Sequence, residues 1–339
     1  MSRFVVRRCI ESLPTLFGVT LICFGLLRAA SADPLLRRLS DPLHVGRVSS
    51  AALLQLRQLY DLDQPWYVQY LLLLRRLVTL DLGTTWQDGR LIRDVIFETL
   101  PVTLLLSGLS IALAYLIAVP LGVFAAAHRG SLLQRCITWL LFLLYSLPAF
   151  WLGTLLLMVF ASGHFVRCES FDYGACFPLS GWHSFSGFHA LSGPRKLLDV
   201  LWHLCLPVVT LSYPALAVIS RHMRAGMLET FKHDFIRTAR AKGLPESAVV
   251  WRHGLRHGIL PIVTLLGLEL PHLIGGAVVV EAIFGIRGMG LVTLEAIRMP
   301  DYPLVISVVM LTALMTWLGS LLADIAYAWL DPRVRYHRE

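Results

Sequence analysis

Lysine is almost missing from this chain. Lys196, Lys232 and Lys242 are the only three in 339 residues, and Leu, His and Gly follow them. A Gly-Lys-Ser/Thr phosphate loop needs both the lysine and the hydroxyl after it, so ATP is not bound here by that route. Charge of either sign is scarce too. Charged residues make up 15% and hydrophobic ones 56%, where soluble domains carry roughly 25% charged residues. The balance excludes an ordinary soluble domain and points to a membrane protein. The net charge of +8 sits on no soluble module with a groove-reading helix, so nucleic acid is not an expected partner. Catalytic constellations are also lacking. His253 and His257 are four apart, but Gly254 stands where a zinc protease needs Glu. They read as basic surface residues. No Ser/His/Asp set or carboxylate pair stands out.

Cysteine is sparse. Cys9, Cys23, Cys136 and Cys205 lie in or beside apolar runs and read as small buried hydrophobes. Cys168 and Cys176 close a short polar loop and are candidates for a disulfide if that side is oxidising. His164, His183 and His189 lie near them, but the spacing matches no strong zinc pattern. No metal site is expected.

What the chain has in plenty is long apolar runs. Six are long enough, at about 20 residues, to cross about 30 Å of hydrocarbon as helices. They fall near Cys9–Ala30, Leu100–Ala126, Cys136–Phe160, Leu201–Ser220, Ile259–Phe284 and Leu304–Leu330. The expected fold is an all-α polytopic membrane protein with six spans and both termini in the cytoplasm. The first run follows Arg3, Arg7 and Arg8, and Ala30-Ser31-Ala32 resembles a signal-peptidase site. Glu11, Pro14 and Arg28 interrupt it, and five further spans follow, which favours a retained span over a cleaved signal. Basic residues then mark the interior side: Arg129 and Arg135, the stretch from Arg221, and Arg333, Arg335 and Arg338.

The organisation follows from these spans. Residues 1–30 hold the cytoplasmic N-terminus and first span. Residues 31–99 form an exterior lobe, in which Pro65–Leu80 reads as an amphipathic or interfacial helix. Residues 100–330 form the transmembrane core, with an exterior loop at 161–199, and residues 331–339 are a cytoplasmic tail. Pro101 is placed near the start of the second helix. Pro120-Leu121-Gly122, Ser146-Leu147-Pro148, Pro207 and Pro214 interrupt the spans, as kinks or as the lining of a path. Glu269, Glu281 and Asp324 are embedded acids, read as ion-paired or near-interface groups in preference to a proton relay.

One polar stretch, 221–257, separates the fourth and fifth spans. It holds eight basic residues and three acidic ones, +5 of the chain's +8. Asp234 is placed as the N-cap of a helix from Phe235, with Phe235, Ile236 and Ala239 on an apolar face. Arg237, Arg240 and Lys242 stay polar. Gly243 is a left-handed C′ residue, and Pro245 and Glu246 start a second helix through Val249, Val250, Trp251 and Leu255 to about His257. The result is a cytoplasmic helix–Gly–helix hairpin that docks on another protein. The competing reading lays it on anionic lipid.

The segment TARAKGL, followed by RHGLRHGILPIVT, is similar to the cytoplasmic loop of ABC-importer permeases of the dipeptide/oligopeptide/nickel class. LDQPWYVQYLLLLRRLVTLDLGTT, IAVPLGVFAA, SLPAFWLG, GGAVVVEAIF and DPRVRY resemble other parts of that family, most closely its DppB/OppB-type subunit. The likeness covers nearly the whole chain. Within it, Ala239 and Gly243 match the second alanine and the glycine of the EAA motif, while Arg237 and Thr238 stand at its Glu and Ala. FGIRGMG departs from the family, which usually has Pro near Arg287, and His257 stands where Asn is common.

The resemblance implies the permease subunit of a binding-protein-dependent importer in a bacterial inner membrane, non-catalytic itself. Its implied partners are a homologous DppC/OppC-like permease, two ABC ATPases, a periplasmic binding protein and membrane lipid. No cofactor is bound by this chain; ATP and Mg belong to the ATPases. Asp234, Phe235, Arg237, Ala239, Arg240, Lys242, Gly243, Leu244 and Pro245 would couple to the ATPase. Peptide is the expected cargo, with nickel, glutathione or an antimicrobial peptide as alternatives on the same machine. The rivals from other classes are an ion-coupled transporter using Glu269, Glu281 or Asp324, and a membrane-embedded hydrolase.

Overall fold

The computed structural model describes residues 2–30, 64–79, 81–161, 176–185, 187–269, 277–299 and 301–330. Among them no strand forms; Thr84 and Leu91 make an isolated bridge. The helices are α1 (Ser2–Ala30), α2 (Trp66–Thr79), α3 (Ile92–Ala127), α4 (Leu132–Ser146), α5 (Ala149–Phe160), α6 (Gly193–Thr230) and α7 (Asp234–Ala241). After these come α8 (246–258), α9 (Leu260–Glu269), α10 (Val278–Ile283), α11 (Met289–Arg298) and α12 (Tyr302–Leu330). Helices dominate because an apolar chain in hydrocarbon must satisfy its backbone internally.

Among the described residues three helices are long and apolar enough to cross a membrane, and the pair α4–α5 counts as a fourth if it is one span. The chain is thus a helical, multi-pass membrane protein. Several expectations change. The third apolar run is not one helix: α4 and α5 meet at Leu147-Pro148 and are bent by 100°. Proline disfavours helical backbone in the residue before it, and Leu147 is extended at φ −81°, ψ 134°. Its carbonyl oxygen accepts the Tyr213 hydroxyl at 2.6 Å. Pro101 lies well inside α3, whose 36 residues make about 54 Å at 1.5 Å each. The first run forms one helix, α1, and among the residues whose side chains are described it is apolar over Ile10–Gly25. The fifth run shows α9 and α10, and residues 270–276 between them lie outside the described residues. Met289–Arg298, which lies between the fifth and sixth apolar runs, is helical.

Two units divide the chain. One holds Met1–Leu100 and Val292–Leu321, the other Pro101–Leu291 and Leu322–Glu339. In the first unit α2 packs through Tyr70 and Leu77 against Phe24 and Met310. The Tyr70 hydroxyl lies 2.7 Å from Thr20 Oγ1, and its ring meets Phe17 edge-on at 5.5 Å. This half-sunk helix leaves Trp66, Tyr67, Leu71 and Val78 exposed, which fits its amphipathic sequence. Buried Asp301 accepts the backbone N–H groups of Trp86 and Leu304, at 2.8 and 3.3 Å, and so caps α12.

The second unit has two cores. One gathers Val102, Leu106, Leu204, Val208, Phe284 and Ile286. The other gathers Ala114, Ala118, Val123, Met223, Met227, Val250 and Ile262. Small residues on α3 let α6 approach. A Cβ on Gly122 would stand 2.5 Å from Met223 Cβ and 2.7 Å from the Ser220 carbonyl oxygen.

Candidate functional site: the α6–α8 hairpin

The polar stretch does not start as a loop. Helix α6 runs on to Thr230, with Met223, Met227 and Thr230 on its buried face. It stops where the Phe231 N–H returns to the Met227 carbonyl at 2.9 Å. His233 is extended and takes the N-cap position of α7 without a side-chain bond. Asp234 is therefore the first helical residue and not the cap, and as an acid in the first turn it suits the helix dipole.

Helix α7 buries Ile236 and Ala239 against Val249 and Phe231. It ends in a Schellman turn. The Gly243 N–H bonds the Arg240 carbonyl at 2.9 Å and the Leu244 N–H reaches the Ala239 carbonyl at 3.4 Å. Gly243 sits at φ 77° as expected, and no neighbour lies within 4 Å of a Cβ built there. Pro245 is the next N-cap, with Glu246 in the first turn of α8. Helix α8 then widens into a π-turn over Val249–Gly254 before resuming at Leu255–Gly258.

Arg240 is committed within the hairpin. Its Nη2 and Nε donate to Glu246 Oε1 and Oε2 at 2.6 and 3.1 Å, and its guanidinium lies 5.8 Å from the Phe231 ring centre. The Arg240 hydrogen bonds hold the Glu246 carboxyl below its ordinary range, and the carboxylate raises the guanidinium in turn. Ala239 is likewise spent inside the hairpin. What faces outward is Phe235, Leu244 and Trp251, with Arg237, Lys242, Gly243 and Pro245 also exposed. Phe235 stacks on His233 and touches His257, with ring centres 5.7 and 4.8 Å apart. The arrangement is a short, internally braced protrusion with an apolar and basic outer surface. Sequence reading missed Met227 and Phe231, which sit under the hairpin; Gly254 and Gly258, four apart, were the available sign of close packing.

Chain 118–336 matches the family described as binding-protein-dependent transport system inner membrane component. The chain belongs to that family. It is a permease component of ABC transport, a non-catalytic role in the membrane. Relatives align end to end. The chain is 36% identical over 337 residues to the oligopeptide transport system permease protein AppB of Bacillus subtilis (strain 168), covering 99% of this chain and 100% of the relative. It is 34% identical to the di/tripeptide transport system permease protein DppB of Pseudomonas aeruginosa (strain UCBPP-PA14), covering 100% of both. It is 32% identical to the dipeptide transport system permease protein DppB of Escherichia coli (strain K12), again covering 100% of both.

Glu269 and Asp324 lie in α9 and α12, and their side chains fall outside the described residues. Glu281 is fully buried in α10 and has no cation partner among the described residues. Its Oε1 accepts from Thr103 Oγ1 at 3.0 Å and its Oε2 accepts the Leu291 N–H at 2.8 Å. Thr103 Oγ1 accepts the Met289 N–H at 2.8 Å. The pair caps the first turn of α11, and Gly288 and Gly290 leave the room. A Cβ on either would come within 3 Å of the carboxylate. Cys176 is in a disulfide; Cys168 and His164 lie outside the described residues. His183 stacks on Phe188 with ring centres 4.3 Å apart, and its Nδ1 lies 2.8 Å from the Ser184 carbonyl oxygen.

Proposed function

We propose that this chain is the DppB/OppB-type permease subunit of an ATP-driven importer that carries di- and oligopeptides into a bacterial cytoplasm. The observation that carries this is the end-to-end likeness to three relatives named as peptide permeases. In this reading six spans cross the inner membrane with both termini inside. Residues 31–99 and 161–199 face the periplasm, where a binding protein delivers the peptide and where Cys168 and Cys176 pair. A DppC/OppC-like permease completes the pathway. ATP and Mg are held by two ABC ATPases, consistent with the missing phosphate-loop lysine.

The α7–α8 hairpin is the ATPase dock. Asp234, Phe235, Arg237, Lys242, Gly243, Leu244 and Pro245 form its outer surface, while Ala239 and Arg240 hold its shape. Transport follows from alternating access. Closure of the ATPases on ATP displaces the hairpin and favours one packing of the spans, by as much as the nucleotide's differential affinity for the two states. The experiment is a pull-down of the ATPases through the tagged permease, wild type against Gly243→Val, with membrane insertion checked in both. Loss of the ATPases in the variant is expected. Equal recovery from both would remove the docking assignment.

A further inference from the structure

Below the hairpin, α6 and α8 meet main chain to main chain. A Cβ on Gly226 would stand 2.5 Å from the Gly258 carbonyl oxygen, so no other residue fits there without parting the helices. On Gly258 a Cβ would stand 2.6 Å from Met227 Sδ and 3.3 Å from Met227 Cα. On Gly254 it would stand 3.0 Å from both Met227 Cε and Phe231 Cε1. Met227 is fully buried between the two backbones. One turn earlier on the same face, Met223 is pressed against Gly122 of α3.

The π-turn lets α8 serve two surfaces. Val249 enters the hairpin core with Ile236, Ala239 and Phe231. Val250, the next residue, enters the core of Met223, Met227 and Ile262. The hairpin, α8 and the end of α6 thus share one continuous packing with Phe231 and Met227 at its centre. Close-packed interiors transmit displacement and do not absorb it.

We infer that Gly226, Gly254 and Gly258, closed on Met227, are the joint that passes hairpin movement into α6. They are positioning residues for transport, and the inference rests on the hairpin being the ATPase dock. Contact at van der Waals distance, with no side chain interposed at Gly226, makes α6 follow α8. A spacer there would let the hairpin move while α6 stays.

The test uses the whole complex with its binding protein in proteoliposomes. Gly226→Ala sets a methyl against a backbone oxygen that cannot swing aside. The expected result is wild-type recovery of ATPases, ATP hydrolysis that no longer depends on binding protein, and uptake lowered about tenfold, within the range of allosteric coupling energies. Gly258→Ala, whose methyl first meets the movable end of Met227, should show the same split more weakly, and it decides the matter if Gly226→Ala does not assemble. Wild-type uptake with binding-protein-dependent hydrolysis would overturn the joint. So would a loss of uptake that only follows loss of bound ATPase. Failure of the docking assignment reads differently: Gly243→Val would then recover ATPases as wild type does.

Discussion

At Gly243 a side chain would meet open space, and the constraint is the backbone itself, at φ 77°. Left-handed backbone costs most residues about 1–2 kcal/mol, and Asn less. Recovery of the ATPases on pull-down should therefore fall in the order Gly, Asn, Ala, Val at this position; equal recovery for Val and Asn would contradict it. Glu246 makes a second case. Its pair with Arg240 is largely exposed, so Glu246→Ala should destabilise the hairpin by under about 1 kcal/mol. The folded carboxyl titrates below its ordinary 4.5. The pair's contribution is full above that value and is lost as pH falls through the lower folded value. Hydrogen exchange of α7 amides should therefore be alike in wild type and variant at acid pH and differ at neutral pH. The Gly-Leu-Pro run made Gly243 legible in the sequence because few residues accept that backbone. Asp234 was misread because a good capping residue also suits the first turn, and only the extended backbone of His233 separates the two.

The elements were legible in kind, less so in shape. Ser146-Leu147-Pro148 announced a break between α4 and α5. The 100° bend was not readable, because neither its angle nor the Tyr213 hydroxyl that meets the Leu147 carbonyl from another helix is written in the local sequence. Tyr213→Phe should leave that acceptor unpaired and cost about 1–3 kcal/mol, read as a lower melting temperature of the purified protein; an unchanged melt would deny the bond its role. Helix α11 was missed because its start is satisfied from a distance. Thr103 and Glu281 take its first N–H groups, and nothing within 289–298 advertises a cap. Glu281→Gln keeps one acceptor oxygen and Glu281→Ala keeps none. The melting temperature should fall in that order, and a Glu281→Ala protein as stable as wild type would contradict the cap.

For the whole molecule, composition announced the membrane. Span ends and the inward turn of polar groups were not readable, since apolar runs look alike whether they face lipid or protein. The topology has its own check. With Cys168 and Cys176 bridged in the periplasm, a membrane-impermeant thiol reagent should label both in whole spheroplasts only after reduction. Labelling without reduction would remove the bridge, and labelling only after lysis would invert the topology.

In the proposed function this family member imports peptide on energy supplied by ATPases docked at the α7–α8 hairpin. Uptake of a labelled dipeptide by proteoliposomes that hold both permeases and the ATPases, with the binding protein supplied, tests it most directly. Uptake should require ATP and the binding protein and persist when ion gradients are collapsed. Uptake that runs without the ATPases and stops when an ion gradient is collapsed would contradict it.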